Sequence, residues 1–158
     1  GLDSIGKEHY LCSANSMETT TYCALPLSKF EKICRDIPAL QNMMLNTMSK
    51  VISFEHKMLL SACNKKAHER LATFLLSLSK RYLHIGYSPN NIHLPMSRQE
   101  IGNYLGISSE TISRIFTQFQ RDHIITIEPK AITINDIERL KELEHNCNTH
   151  NIVEHHIY

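Results

Sequence analysis

The stretch Arg98 to Thr117, RQEIGNYLGISSETISRIFT, leaves few options other than two short helices joined by a tight turn. Gly102 and Gly106 lie four residues apart, with Ile101, Leu105, Ile107, Ile112 and Ile115 spaced around them. A residue without a Cβ at 102 lets the helices approach closely, and Gly106 supplies the positive φ that reverses the chain. The isoleucines and the leucine fill the wedge between the helices. Ser97 followed three residues later by Glu100 is a capping box for the first helix, and Ser108 is placed to cap the second.

On the second helix Glu110, Ser113, Arg114 and Thr117 fall on one face at i, i+3, i+4 and i+7, while Ile112, Ile115, Phe116 and Phe119 point elsewhere. Arginine suits guanine O6 and N7, glutamate accepts from cytosine N4, and a serine hydroxyl serves either role. That face is therefore chemically able to read base edges in double-stranded DNA. Ser109 and Thr111 join it at the N-terminal end, where the positive end of the helix dipole would face phosphate. A merely solvated amphipathic helix is the plain alternative.

A hairpin signal follows. His123 to Ile127 and Ala131 to Ile134 are β-branched runs separated by Glu128, Pro129 and Lys130, which makes the module a winged helix. Lys130 at the tip is a candidate phosphate contact, although a lone lysine on a turn is commonly just solvated. The segment from Asn135 to Glu144 reads as a closing helix with Ile137, Leu140 and Leu143 along its buried edge.

Composition sets the outer limits. The 158 residues are 42% apolar and 21% charged, as in a soluble globular protein of one ordinary core or two small ones. No run approaches the ~20 apolar residues of a membrane span, so no membrane partner and a cytoplasmic location are expected. Five widely spaced cysteines without a C-x-x-C pair argue against a secreted disulfide framework. Net charge is only +1, and within the module Arg98, Arg114, Arg121 and Lys130 balance Glu100, Glu110, Asp122 and Glu128. That balance counts against strong nonspecific attraction to DNA, and specific binding would have to lean on base contacts, helix N-termini and two copies acting together. Positive charge gathers instead at Lys65, Lys66, Arg70, Lys80 and Arg81, opposed there by Glu69. No P-loop, nucleophile elbow, H-E-x-x-H or paired-carboxylate motif is present, so the chain is not expected to be an enzyme.

Pro38 opens a long helical pattern that runs to about Cys63 without glycine or proline. Leu45, Met48, Ile52, Glu55 and Leu59 step by 3 or 4 and form an a/d seam able to pair with a second copy. Met44, Val51, Phe54 and Met58 beside it serve equally well to pack a single helix on its own domain. A carboxylate at Glu55 would meet its symmetry mate and oppose association, leaving a dimer that is poised and not locked. A solvated edge position for Glu55 is the duller alternative. A second helix, Lys65 to Leu83, would bury Leu71, Phe74, Leu75, Leu78 and Tyr82, and Gly86, Ser88 and Pro89 end it.

The start differs in kind. Tyr10 to Ala14 and Met17 to Leu25 are strand-like, and Leu27 to Arg35 is a brief helix. Two strands make no stable sheet. An opening this abrupt reads as the tail end of a larger β domain, hence a fragment or a processed product.

The order of parts, with GLDSIG at the start, ETTTYCALP from Glu18 to Pro26, HERLATFLLSLSKR from His68 to Arg81 and SRQEIGNYLGISSETISRI from Ser97 to Ile115, resembles the CRP/FNR family of bacterial transcription regulators. Within it the chain is most similar to the FNR branch, the oxygen-responsive fumarate and nitrate reduction regulators. The resemblance implies an α+β fold: residues 1–37 as the remnant of a β-roll sensor domain, 38–63 as a dimerisation helix, 64–145 as a winged helix-turn-helix and 146–158 as a disordered tail. It implies a homodimer on a palindromic operator, contacts with RNA polymerase, and base reading by Glu110, Ser113 and Arg114. It also implies that Cys23, followed by Ala24, Leu25 and Pro26, is one of four thiolate ligands of a [4Fe–4S] cluster in the intact protein. The other three ligands belong to an N-terminal cluster absent from this sequence, so no cofactor is expected on this chain alone. Cys12, Cys34, Cys63 and Cys147 do not match the ligand positions. In the cyclic-nucleotide branch an arginine precedes a small pair where this chain has Cys12, Ser13 and Ala14, which speaks against a cyclic nucleotide.

Two other functions stay open on the sequence: a regulator of this family without a cluster, sensing another signal, and a winged-helix module that docks protein. The tail residues His145, Cys147, His150, His155 and His156 offer donors for zinc or nickel, although polar C-terminal residues are commonly just disordered.

Overall fold

A computed structural model of the chain describes residues 9, 10 and 13–145. The elements run in the order α1 (Leu27–Asp36), α2 (Pro38–Asn64), α3 (Ala67–His84), β1 (Asn91–His93), α4 (Arg98–Leu105), α5 (Ser109–Arg121), β2 (Ile125–Glu128), β3 (Ala131–Ile134) and α6 (Ile137–His145). Helices and a small antiparallel sheet make this an α+β chain with a helix-turn-helix towards its C-terminus. Two compact units divide it, Gly1–Leu59 and Leu60–Tyr158.

The first unit holds α1 and α2 as far as Leu59, both helices forming where expected, and proline stands at the first position of α2, where its missing N–H costs nothing. Leu45, Ile52 and Leu59, seven residues apart, are 58%, 50% and 64% exposed. Glu55 is exposed as well, and Met48 is half-buried. The apolar row therefore faces outward in the single chain, and it is Met44, Phe54 and Met58 beside it that are partly covered. The strand-like piece Met17 to Leu25 does not become a strand: residues 13–26 carry no regular structure, and residues 11 and 12 of the other piece, Tyr10 to Ala14, lie outside the described residues. Extended backbone needs a neighbouring strand to satisfy its N–H and C=O groups, and no strand of the described residues lies in this unit. Residues 146–158, with the tail histidines 150, 155 and 156 and Cys147, lie outside the described residues.

The second unit holds the core. Leu71, Ala72 and Leu75 of α3, Ile92 of β1, Ile101 of α4, Ile112 of α5 and Leu140 of α6 are wholly buried, joined by Phe116, Phe119, Ile124, Ile125 and Ile132. Leu78 and Tyr82 of α3 are only half-buried. The C-terminus of α3 closes at Gly86, whose φ of +84° turns the chain so that the Tyr87 N–H reaches the Tyr82 carbonyl at 2.9 Å. Glu69, 3% exposed, begins the same helix by accepting from the Lys66 N–H at 2.8 Å.

The sheet has the order β1-β3-β2, antiparallel throughout. Register pairs Ile125 with Ile134 and Ile127 with Ile132 in the hairpin, and Ile92 with Ile132 on the other side. Two features depart from the sequence reading. Strand β1 has three residues and a single buried side chain, too short a run to show alternation. The hairpin starts at Ile125 and not at His123, because His123 takes φ +56° and ends α5. The His123 N–H bonds to Gln120 O at 3.0 Å and the Ile124 N–H to Phe119 O at 2.9 Å, the paired bonds of a Schellman motif.

Candidate nucleic-acid interface

The turn between α4 and α5 is built by three residues with separate tasks. Gly106 adopts φ +64° and ψ +42°, left-handed values that a side chain resists. The Ile107 N–H returns to the Gly102 carbonyl at 2.9 Å. A Cβ at Gly102 would sit 2.5 Å from the Ile107 carbonyl oxygen, so this crossing of helices requires glycine there. Ser108 then caps α5 by accepting from the Thr111 N–H at 3.3 Å.

The first helix is anchored just as locally. Ser97 Oγ accepts from the Glu100 N–H at 3.2 Å while Glu100 Oε2 accepts from the Ser97 N–H at 2.7 Å. The bond from the Ser97 backbone, and after it that from its hydroxyl, hold the Glu100 carboxyl below the usual range. A depressed carboxylate contributes stability above its unfolded pKa, and that contribution is lost as pH falls through the folded value. Glu100→Gln is thus expected to be less stable than the parent at pH 7, with the gap closing below about pH 4, where the parent's carboxylate also protonates. Urea denaturation across pH 3 to 7 measures this, and a gap that does not change with pH would contradict it. One residue on, the Arg98 guanidinium lies 3.8 Å from the Phe116 ring centroid, tying the start of α4 to the middle of α5, and burial lowers its pKa.

With α5 held this way, Ile112, Ile115, Phe116 and Phe119 go inward, and Glu110, Ser113, Arg114 and Thr117 stand exposed together on the outer face. Hydrogen bonds along the helix order that face. The Ser113 hydroxyl donates to Ser109 O at 2.8 Å, and the Thr117 hydroxyl to Ser113 O at 3.0 Å. With its proton donated to the helix backbone, the exposed Ser113 hydroxyl is left as an acceptor, which suits the amino groups of cytosine or adenine. Thr111 Oγ1 accepts from the Ser108 hydroxyl at 3.0 Å and from Arg114 Nη2 at 3.2 Å. One nitrogen of the arginine fork is thus steadied by the helix, on a side chain that is exposed. Ser109 and Thr111 are half-buried, and their place is at the cap beneath the face.

Lys130 lies exposed at the β2–β3 turn, where its carbonyl accepts from the Leu94 N–H at 2.8 Å and fixes the tip backbone. Cys23 is an exposed free thiol in the first unit. Among the described residues no group of three or more histidine, cysteine, aspartate or glutamate side chains is gathered to hold a metal. Sequence reasoning missed two arginines. Arg98 stacks on Phe116, and Arg70 of α3 donates from Nη1 to the Leu105 carbonyl at 3.0 Å across 35 residues. Neither spacing carries a periodic signal that could have announced the contact.

Residues 69–143 match the family described as the Crp-like helix-turn-helix domain. The chain is 40% identical over 136 residues to the transcriptional activator protein Anr of Pseudomonas protegens, covering 86% of this chain and 56% of that protein. It is 37% identical over 143 residues to the fumarate and nitrate reduction regulatory protein of Escherichia coli, covering 90% of this chain and 57% of that one. The solved structure of FixK2 from Bradyrhizobium japonicum superposes with a TM-score of 0.67 at 29% identity, over 74% of this chain and 58% of FixK2. The chain spans a little over half the length of the curated relatives it matches.

Proposed function

From this chain's membership of the CRP/FNR family, whose helix-turn-helix domain it carries over residues 69–143, we propose that it reads a base sequence in double-stranded DNA and regulates transcription. The observation that supports this reading best is the outer face of α5, where Glu110, Ser113, Arg114 and Thr117 are exposed over a buried apolar side. Arg114 reads guanine, Ser113 and Glu110 accept from base amino groups, and Lys130 at the wing tip meets a phosphate. Ser109 and Thr111 bring the N-terminal end of α5 against the backbone, where its dipole favours an anion. The relatives reported above are named as an activator of transcription and a regulatory protein, and not as enzymes.

Reading is carried out by a homodimer. The exposed row of Leu45, Ile52 and Leu59 supports pairing along α2, with Met48 and Glu55 on the intervening turns. Near-neutral net charge gives one copy little hold on phosphate, so two half-sites are read together. The bound regulator contacts RNA polymerase.

An oxygen or redox response belongs to this proposal for a longer form of the protein, through a [4Fe–4S] cluster to which Cys23 lends one thiolate. The exposure of Cys23 supports it. The described residues do not by themselves supply the four-thiolate set that such a cluster takes, so no step of the DNA reading is assigned to it.

Selection from a pool of randomised duplexes tests the DNA reading. The 158-residue chain is expected to enrich a palindrome whose half-sites lie about 10–10.5 base pairs apart, centre to centre, or a multiple of that. A recovered pool as random as the input would overturn the proposal.

A further inference from the structure

We infer that Arg70 is a positioning residue for the recognition helix, setting how discriminating α5 is although it lies on α3 and outside the base-reading face. The inference rests on the DNA reading proposed above. Leu105 is the last residue of α4, so its carbonyl is one of those left without a partner inside the helix and lies at the negative end of the dipole. Arg70 Nη1 donates to it at 3.0 Å, a charge-assisted bond that suits both conditions. The same nitrogen lies 3.7 Å from where a Cβ on Gly106 would be, so the guanidinium sits against the left-handed residue that reverses the chain.

The base from which Arg70 reaches is firm. Leu71, Ala72 and Leu75 on its own helix are wholly buried. The lever it acts on is short: Gly106, Ile107 and Ser108 are all that separate α4 from α5, so a shift at Leu105 passes to the cap of the recognition helix. Arg70 Nε is buried and has no hydrogen-bond partner among the described residues. Burying an unpaired N–H is unfavourable, and an apolar side chain at 70 would avoid it. What arginine adds over such a residue is direction, one fixed bond to one carbonyl at the turn.

The test compares the 158-residue chain with Arg70→Met, which keeps the apolar stem, and Arg70→Lys, which keeps a donor. Affinity for the selected palindrome and for a scrambled duplex is measured at one salt concentration, below the melting temperature of every variant. Amide exchange at Ile107 and Ser108 is followed in the free proteins. Arg70→Met is expected to lower the ratio of specific to nonspecific affinity on the order of tenfold per half-site, with little change on the scrambled duplex. Arg70→Lys should recover most of that ratio, and the two amides should exchange faster in Arg70→Met alone. A ratio unchanged in Arg70→Met, with only the melting temperature lowered, would mean a plain structural role and overturn the inference. If the unsubstituted chain shows no preference for any duplex, the DNA reading fails instead. Amide exchange then decides the anchoring separately: faster exchange in Arg70→Met supports it, and unchanged exchange overturns it.

Discussion

Replacing Gly102 by alanine should destabilise the helix-turn-helix unit by about 1–2 kcal/mol, although alanine is the better helix former. Two effects of opposite sign compete. Glycine inside a helix costs roughly 0.8–1.0 kcal/mol relative to alanine, so propensity alone predicts a gain. Against it stands the new methyl group, 2.5 Å from the Ile107 carbonyl oxygen and 3.6 Å from the Ser109 nitrogen. Backbone atoms cannot swing away as a flexible side chain can, so α4 and α5 must separate or twist. Overpacking of this kind costs typically 1–3 kcal/mol, and the Ile107 N–H bond to Gly102 O is strained as well. Thermal denaturation followed by circular dichroism reads the balance. For a unit of this size each kcal/mol lowers Tm by about 4–8 °C. An unchanged or higher Tm would show that the close approach carries no weight.

Such a consequence could be foreseen because the requirements of this module are local in the chain. Gly102, Gly106, Ser97 with Glu100, and Ser108 each announce a backbone condition within five residues of themselves, and the structure meets every one. The outer face of α5 was legible for the same reason, since helical period alone assigns Glu110, Ser113, Arg114 and Thr117 to one side. What escaped depends on partners distant in sequence or on uncommon conformations. Arg70 finds Leu105 only once α3 packs beside the turn, and Arg98 finds Phe116 only once α4 and α5 cross. Strand β1 exists because β3 supplies its hydrogen bonds, and three residues with one buried isoleucine hold too little pattern to show it. The run from His123 to Ile127 reads as a strand from its β-branched residues, and left-handed backbone at a residue other than glycine is too uncommon for the pattern to show it at His123. The strand-like run before Leu27 shows the converse: β-branched and aromatic residues favour extension but cannot make a strand without a neighbour. The seam of α2 is intermediate. Its period spans only about two heptads, and the exposure of Leu45, Ile52 and Leu59 supports the pairing proposed for α2.

The other large effect concerns Arg114, whose fork is the best hydrogen-bonding group on the exposed face. A bidentate arginine–guanine pair is worth about 1–3 kcal/mol of discrimination, roughly five- to 150-fold per half-site. In a dimer both half-sites lose it, and the two losses add when the sites are independent. Arg114→Ala also removes the contact to Thr111, but that bond lies on an exposed helix surface, so the unit should keep its fold. On the proposed reading, the serine and glutamate beside it would continue to read their own positions. Discrimination should therefore be lost at one base pair of each half-site and kept at the others.

That pattern tests the central claim most directly. Affinities of the parent chain and of Arg114→Ala are measured against the selected palindrome and against every single base-pair change within one half-site, at constant salt. The account predicts that the parent prefers guanine at one position by about 1–3 kcal/mol and that the variant is indifferent there while unchanged elsewhere. Uniform weakening on every duplex, or a preference that survives the substitution, would contradict it.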